Sequence, residues 1–181
     1  VSNYCLASSE YYYIDKTMMI KDFIDERPMV TLFTRPRRFG KSIFLSMLRA
    51  YYDIAQKEKF QKRFGNLWIG SRPTPLQGKF QVVYLDFSRA SGGSGSLEEN
   101  FNNYCGMVMD LFGKVYEPYY FPGFAQKMEE QPDFVSKLNY LNLHAAESGM
   151  KLYLIIDEYD NFTNIVLNEQ GKDIYHALTH A

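Results

Sequence analysis

The chain has 181 residues, 46% apolar and 23% charged, enough for one domain with a sizeable core. A net charge of −1 excludes a global basic field for nucleic acid, and no apolar stretch approaches the roughly 20 residues needed to cross a membrane. Aromatics at 17% mean that ring packing supplies much of the core, and Cys5 and Cys105, lacking metal-ligand spacing or a disulfide framework, read as reduced thiols of a cytoplasmic protein.

Residues 1–10 read as a short polar lead, with no charged-then-apolar leader. The chain does not begin with Met, so its true start is expected upstream. Met18 to Ile24 has helical apolar spacing, and Pro28 ends that helix before an apolar run over 29–34 that reads as a strand. Arg35 to Gly40 is the loop that follows. Ile43, Phe44, Met47, Leu48 and Tyr51 then mark one face of a helix running to about residue 55. Phe80 to Phe87 is a second strand, and the Gly/Ser stretch Ser91 to Ser96 is a flexible surface loop. Leu97 to Val115 is a long helix with Glu98 and Glu99 suiting its N-terminal dipole. Tyr116 to Gly123 is a packed aromatic loop, Phe134 to Ala146 another helix ending near Gly149, and 151–157 a third strand. A last helical pattern covers about 169–180. Strands alternating with helices imply an α/β fold with a mainly parallel sheet.

Gly40-Lys41-Ser42 stands where the first strand hands over to a helix. A phosphate loop needs inward backbone N–H groups, a helix N-terminus aimed at the phosphates, a lysine for the β and γ oxygens, and a hydroxyl for magnesium. Gly40 permits close backbone approach, Lys41 is the point charge and Ser42 the metal ligand. The usual pattern opens on glycine, and here that position is Arg35. Arg35, Arg37 and Arg38 add positive charge suited to a triphosphate; pairing with carboxylates, exposure to solvent and a local nucleic-acid patch stay open as alternatives.

Leu152 to Ile156 is nearly continuous apolar sequence and reads as a strand buried on both faces. Asp157 emerges at its C-terminal end, where ligands bind in open α/β sheets, and can hold Mg²⁺ directly or through water. Glu158 beside it can polarise an attacking water as general base. Asp86 either faces the site or shapes a turn, and Asp160-Asn161 either positions water beside the acidic pair or forms a turn, the turn being the simpler reading of both. Tyr11 to Thr17 reads as ordinary packing or as an aromatic platform for a base. His144, His176 and His180 have no zinc spacing and read as exposed helical residues.

Tyr13-Ile14-Asp15-Lys16-Thr17, Arg35-Pro36-Arg37-Arg38-Phe39-Gly40-Lys41-Ser42, Leu45-Ser46-Met47-Leu48, Leu85-Asp86-Phe87-Ser88 and Ile155-Ile156-Asp157-Glu158-Tyr159-Asp160 together resemble the AAA-ATPase-like family of bacterial P-loop proteins. The resemblance covers nearly the whole chain. It implies a three-layer P-loop NTPase, with 1–27 as lead and helix and 28–181 as nucleotide-binding core. It further implies ATP and Mg²⁺ as ligands, with Arg37, Arg38, Phe39, Gly40, Lys41, Ser42 and Ile43 around the nucleotide. Ser42 and Asp157 would hold the metal, and Lys41 and Glu158 would be catalytic. Such proteins often carry a C-terminal nuclease domain, so an attached or separate effector is an expected partner. A further strand with a polar sensor residue follows the Asp-Glu strand in this class. The chain therefore reads as the N-terminal part of such a domain, lacking its C-terminal strands and leaving strand edges and apolar surface uncovered. ATP hydrolysis is the expected function, with a nucleotide-gated switch as the alternative; oligomeric state is left open.

Overall fold

The computed structural model describes residues 4–10, 13–26, 30–34, 39–90 and 95–160. It is a mixed α/β arrangement that divides into two compact units, Val1–Val82 and Val83–Ala181.

In the first unit, burying rings without stranding polar groups governs the layout. Helix α1 (Tyr4–Glu10) replaces the expected polar lead. Its anchor is Tyr4, fully buried, with its ring stacked on Phe64 at 5.1 Å. The Tyr4 hydroxyl donates to the carbonyl of Arg63 at 2.9 Å, and its backbone N–H donates to Ser46 Oγ at 3.2 Å. A polar sequence thus becomes a helix because one aromatic docks it. Burial, foremost, pushes the Tyr4 phenol well above the ordinary tyrosine range.

Helix α2 (Met18–Glu26) matches its periodicity. Its start is tied down by Asp15. One carboxylate oxygen accepts from the N–H and hydroxyl of Thr17 at 2.8 and 2.7 Å, and the other from the N–H of Trp68 at 2.7 Å. Thr17 Oγ1 accepts in turn from Ile69 N–H at 3.2 Å. Asp15 and Thr17 are therefore a clasp joining α2 to residues 68–69, and residues 13–17 take the packing reading, with Tyr13 against Tyr4 and Met47; Tyr11 and Tyr12 lie outside the described residues. Burial pushes the Asp15 carboxyl up, but the bonds from Trp68 and Thr17 outweigh it and hold the group below the ordinary carboxylate value of 3.8. A depressed value means that the clasp stabilises fully above that value and is lost as pH falls through the folded-state one. We expect Asp15→Ala to cost about 1–2 kcal/mol near neutrality, as loss of a helix cap does. Thermal melts should show this gap narrowing below pH 3.8; a gap constant with pH would refute the clasp's charge dependence.

Helix α3 (Lys41–Tyr52) stops three residues short of the expected end. Asp53 leaves helical geometry and its carboxylate accepts from Ala55 N–H at 2.8 Å, starting the 3-10 turn Ile54–Lys59. Helix α4 (Phe60–Phe64) follows, and Tyr51 meets the rings of Phe60 and Phe64 edge-on at 6.0 and 5.7 Å. Among residues 30–34 no strand forms. Val30 and Leu32 are 89% and 69% exposed, and an apolar extended run becomes a strand only beside a partner backbone, which the described residues do not supply. Phe33 alone turns inward, stacked on Phe44 at 4.8 Å with Phe23 tilted against both.

Strand β1 (Phe80–Asp86) ends one residue before the expected limit. Asp86 accepts from the N–H and hydroxyl of Ser88 at 3.1 and 2.6 Å and pairs with Arg89 at 3.4 Å, which shapes a 3-10 turn over Phe87–Arg89. This is the turn reading of that carboxylate.

In the second unit, helix α5 (Leu97–Tyr116) opens on a reciprocal cap. The Ser96 hydroxyl accepts from Glu99 N–H at 3.2 Å, and the Glu99 carboxylate accepts from Ser96 N–H at 2.8 Å. The loop expected over 116–123 is a 3-10 turn, Glu117–Tyr119, leading to a helix not expected from sequence, α6 (Phe124–Glu129). Gly113 makes the α5–α6 contact close, since a Cβ there would lie 3.3 Å from Ala125 Cα. Helix α7 (Phe134–Glu147) is capped by Asp133, and its buried Lys137 pairs with Asp110 on α5. His144 is not the exposed residue expected: it is half-buried and packs edge-on against Tyr140 at 4.5 Å, Phe121 at 5.2 Å and Phe124, the first residue of α6, at 6.0 Å.

Strand β2 (Lys151–Asp157) pairs with β1 in a two-stranded parallel sheet, the helices between them forming the crossover such pairing needs. It is not buried on both faces. Ile155 and Asp157 are buried, whereas Leu154 and Ile156 are 56% and 38% exposed. The alternation follows the pleat: the described residues cover one face of β2 only. The stretch 91–94, Asn161 and the helical pattern over 169–180, with His176 and His180, lie outside the described residues. Among the described residues Cys5 and Cys105 form no disulfide. Among the described residues no helix is long and apolar enough to cross a membrane.

Candidate functional site

In the first unit, the ring of Phe33 packs against Phe23 and against Phe44 on α3. Gly40 is the N-cap of that helix at φ 79° and ψ 21°. This left-handed geometry costs an L side chain about 1–2 kcal/mol and costs glycine nothing. A Cβ at Gly40 would meet nothing within 4 Å, so the demand for glycine comes from the backbone, not from crowding. Gly40 itself has no side chain with which to cap the helix. The Gly40 carbonyl accepts from Phe44 N–H at 2.9 Å, which closes the first helical turn. A helix start of this kind presents amides and the positive end of the dipole to an anion. Lys41, Ser42 and Ile43 form the first turn and are half-buried, while Phe39 is 63% exposed. Arg35, Arg37 and Arg38 lie outside the described residues.

In the second unit, Asp157 ends β2 on its buried face and is 3% exposed. A buried carboxylate is tolerated only when bonded. Tyr84 on the neighbouring strand donates its hydroxyl to Oδ2 at 3.0 Å, and Glu158 N–H donates to Oδ1 at 2.9 Å. Glu158 holds φ at 53°, the one positive value at a non-glycine position among the described residues. Such strain persists where the surroundings over-determine it and clusters at functional sites. Its side chain is half-buried and next in sequence to the Asp157 carboxylate.

Sequence reasoning missed Tyr84. Its partner Asp157 lies 73 residues away on the neighbouring strand, so only the register between β1 and β2 brings the two together. No cluster of three or more His, Cys, Asp or Glu able to hold a metal occurs among the described residues.

The described elements thus define an α/β protein with a glycine-led helix start and an acidic strand end. A sequence model for the family described as "Predicted AAA-ATPase" matches residues 2–181, and the chain belongs to that AAA-ATPase-like family. Membership implies nucleotide binding. The chain is 27% identical over 175 residues to a protein of Azotobacter chroococcum mcd 1 described as "Uncharacterized protein in vnfD 5'region". That alignment takes in 93% of this chain and 30% of the relative, so the chain spans about a third of that protein's length. No solved structure matches the chain.

Proposed function

We propose that the chain is the N-terminal part of a three-layer P-loop ATPase domain that binds ATP with Mg²⁺ and hydrolyses it. The observation that carries this reading is Gly40 at φ 79° opening α3 directly before Lys41 and Ser42. The parallel pairing of β1 with β2 through a helical crossover is consistent with one half of such a sheet.

The donor set suits the metal. A serine hydroxyl and an aspartate carboxylate are hard oxygens of the kind Mg²⁺ takes alongside phosphate oxygens and water. Ser42 and Asp157 are the residues that would hold it. Magnesium, when bound, neutralises charge on the β and γ oxygens. The amides at the start of α3 receive the phosphates, and Lys41 places its ammonium on the β and γ oxygens. Glu158 accepts a proton from water as the water oxygen bonds to the γ-phosphorus. The bond from phosphorus to the β–γ bridging oxygen breaks, leaving ADP and phosphate. Arg37 and Arg38 supply further positive charge, and Phe39 and Ile43 flank the loop.

The second reading is a nucleotide-gated switch with little turnover, regulating an attached effector. Arg35, where the general phosphate loop opens on glycine, favours it. The greater length of the Azotobacter chroococcum relative leaves room for such an effector.

Titration with a fluorescent ATP analogue, with and without Mg²⁺, is the deciding measurement. Magnesium-dependent binding with phosphate release supports the ATPase, and binding without release supports the switch. A folded chain that binds no nucleotide removes both.

A further inference from the structure

We infer that Tyr84 is a positioning residue for Asp157, holding that carboxylate in the orientation from which it takes a divalent cation. The inference rests on the magnesium–nucleotide reading above and adds to it a residue that none of the phosphate-loop or Asp-Glu motifs contains.

Asp157 is 3% exposed at the end of β2, and a carboxylate removed from water needs donors or it does not stay there. The Glu158 N–H at 2.9 Å is a backbone donor fixed by the strained turn after the strand. The Tyr84 hydroxyl at 3.0 Å comes from the adjacent strand, and it is the contact that side-chain chemistry can remove. Tyr84 is mounted rigidly. Val83 and Leu85 on either side are 4% and 3% exposed, so β1 cannot shift without unpacking them. A donor on a packed strand fixes the rotamer of a ligand on its neighbour, as outer partners do for ligating carboxylates. Each carboxylate oxygen carries two lone pairs, so the bond from Tyr84 is compatible with a cation, or its water, on the same carboxylate. A tyrosine is suited to this: its long ring crosses the inter-strand gap and its hydroxyl donates without adding charge beside the cation.

The test is Tyr84→Phe, which keeps the ring and removes the donor. Binding of the fluorescent ATP analogue is followed as magnesium is titrated, with circular dichroism confirming the fold. The apparent magnesium affinity should fall by about tenfold, the lower end of the loss seen for outer partners of metal ligands. Binding of the analogue without magnesium should be unchanged. In an Asp157→Ala background, Tyr84→Phe should add nothing, which keeps the test informative if the single variant is partly destabilised. A folded Tyr84→Phe chain with wild-type magnesium dependence overturns the inference. So does an equal loss with and without magnesium, which marks a purely structural tyrosine. A wild-type chain that binds the analogue without any magnesium response removes the metal reading itself, and that failure appears before any variant is made.

Discussion

Glu158→Gln should lower ATP turnover by at least about a hundredfold, the smaller end of what a positioned general base contributes, while nucleotide binding is retained. Glutamine keeps the size of the side chain and its hydrogen-bonding capacity but cannot take a proton from water. The prediction draws its sharpness from the backbone. At φ 53° Glu158 occupies a conformation that glutamate adopts reluctantly. The left-handed backbone at Glu158 breaks the extended geometry of β2 directly after Asp157. A strain of this kind predicts a separation of stability from activity. Glu158→Gly should raise stability by about 1 kcal/mol, since glycine adopts the angle without penalty, and should be as inactive as the glutamine variant. Phosphate-release assays and thermal melts on the two variants decide the matter. Turnover preserved in Glu158→Gln assigns the base to another group. A less stable glycine variant would mean that side-chain contacts of Glu158, and not backbone strain, dominate its energetics.

Much of the fold was legible because apolar periodicity reports burial directly. Helices α2, α3, α5 and α7 lie where their apolar spacing places them, and strands β1 and β2 where β-rich and continuous apolar runs place them. The misses have two causes, long-range contact and elements too short to show a pattern. Helix α1 has a polar sequence and forms around Tyr4, whose partners Ser46, Arg63 and Phe64 are distant in the chain. Helix α6 is six residues long, too short for periodicity to register, and Pro122-Gly123 before it reads as loop. Residues 29–34 and 152–156 illustrate the converse. Both are rich in strand-forming residues, but composition cannot say whether a partner strand or a covering layer is present. Of residues 30–34 only Phe33 turns inward, and β2 has one covered face among the described residues. At the candidate site, Gly40, Lys41, Ser42, Asp157 and Glu158 were readable from short motifs. Tyr84 was not, because its relevance lies in register between strands and not in its sequence neighbours.

Lys41→Ala should weaken magnesium–ATP binding by about 10- to 100-fold, the equivalent of a charged hydrogen bond worth about 1.5–3 kcal/mol. Lys41 is the first residue of α3, immediately after the left-handed Gly40, so its position is set by the backbone that also presents the helix amides. If Lys41 lies on the phosphates, its charge adds to the helix amides and to Arg37 and Arg38, and removing it weakens that hold without abolishing it. The rival account is that the neighbouring arginines carry the attraction. Arg37 and Arg38 then become the sensitive positions, and Lys41→Ala costs little. Lys41→Arg separates point charge from geometry. A planar guanidinium keeps the charge but not the compact head that reaches between β and γ oxygens. If geometry matters, the arginine variant binds better than alanine and still fails to restore turnover. If only summed charge matters, it restores both, and the arginine-rich loop before it acts as a diffuse cationic field. Salt gives an independent reading, because exposed charges are screened by ionic strength far more than a group in contact with the phosphates. A Lys41→Ala defect that persists at high salt places the ammonium on the nucleotide. A defect that disappears with salt assigns Lys41 to steering alone.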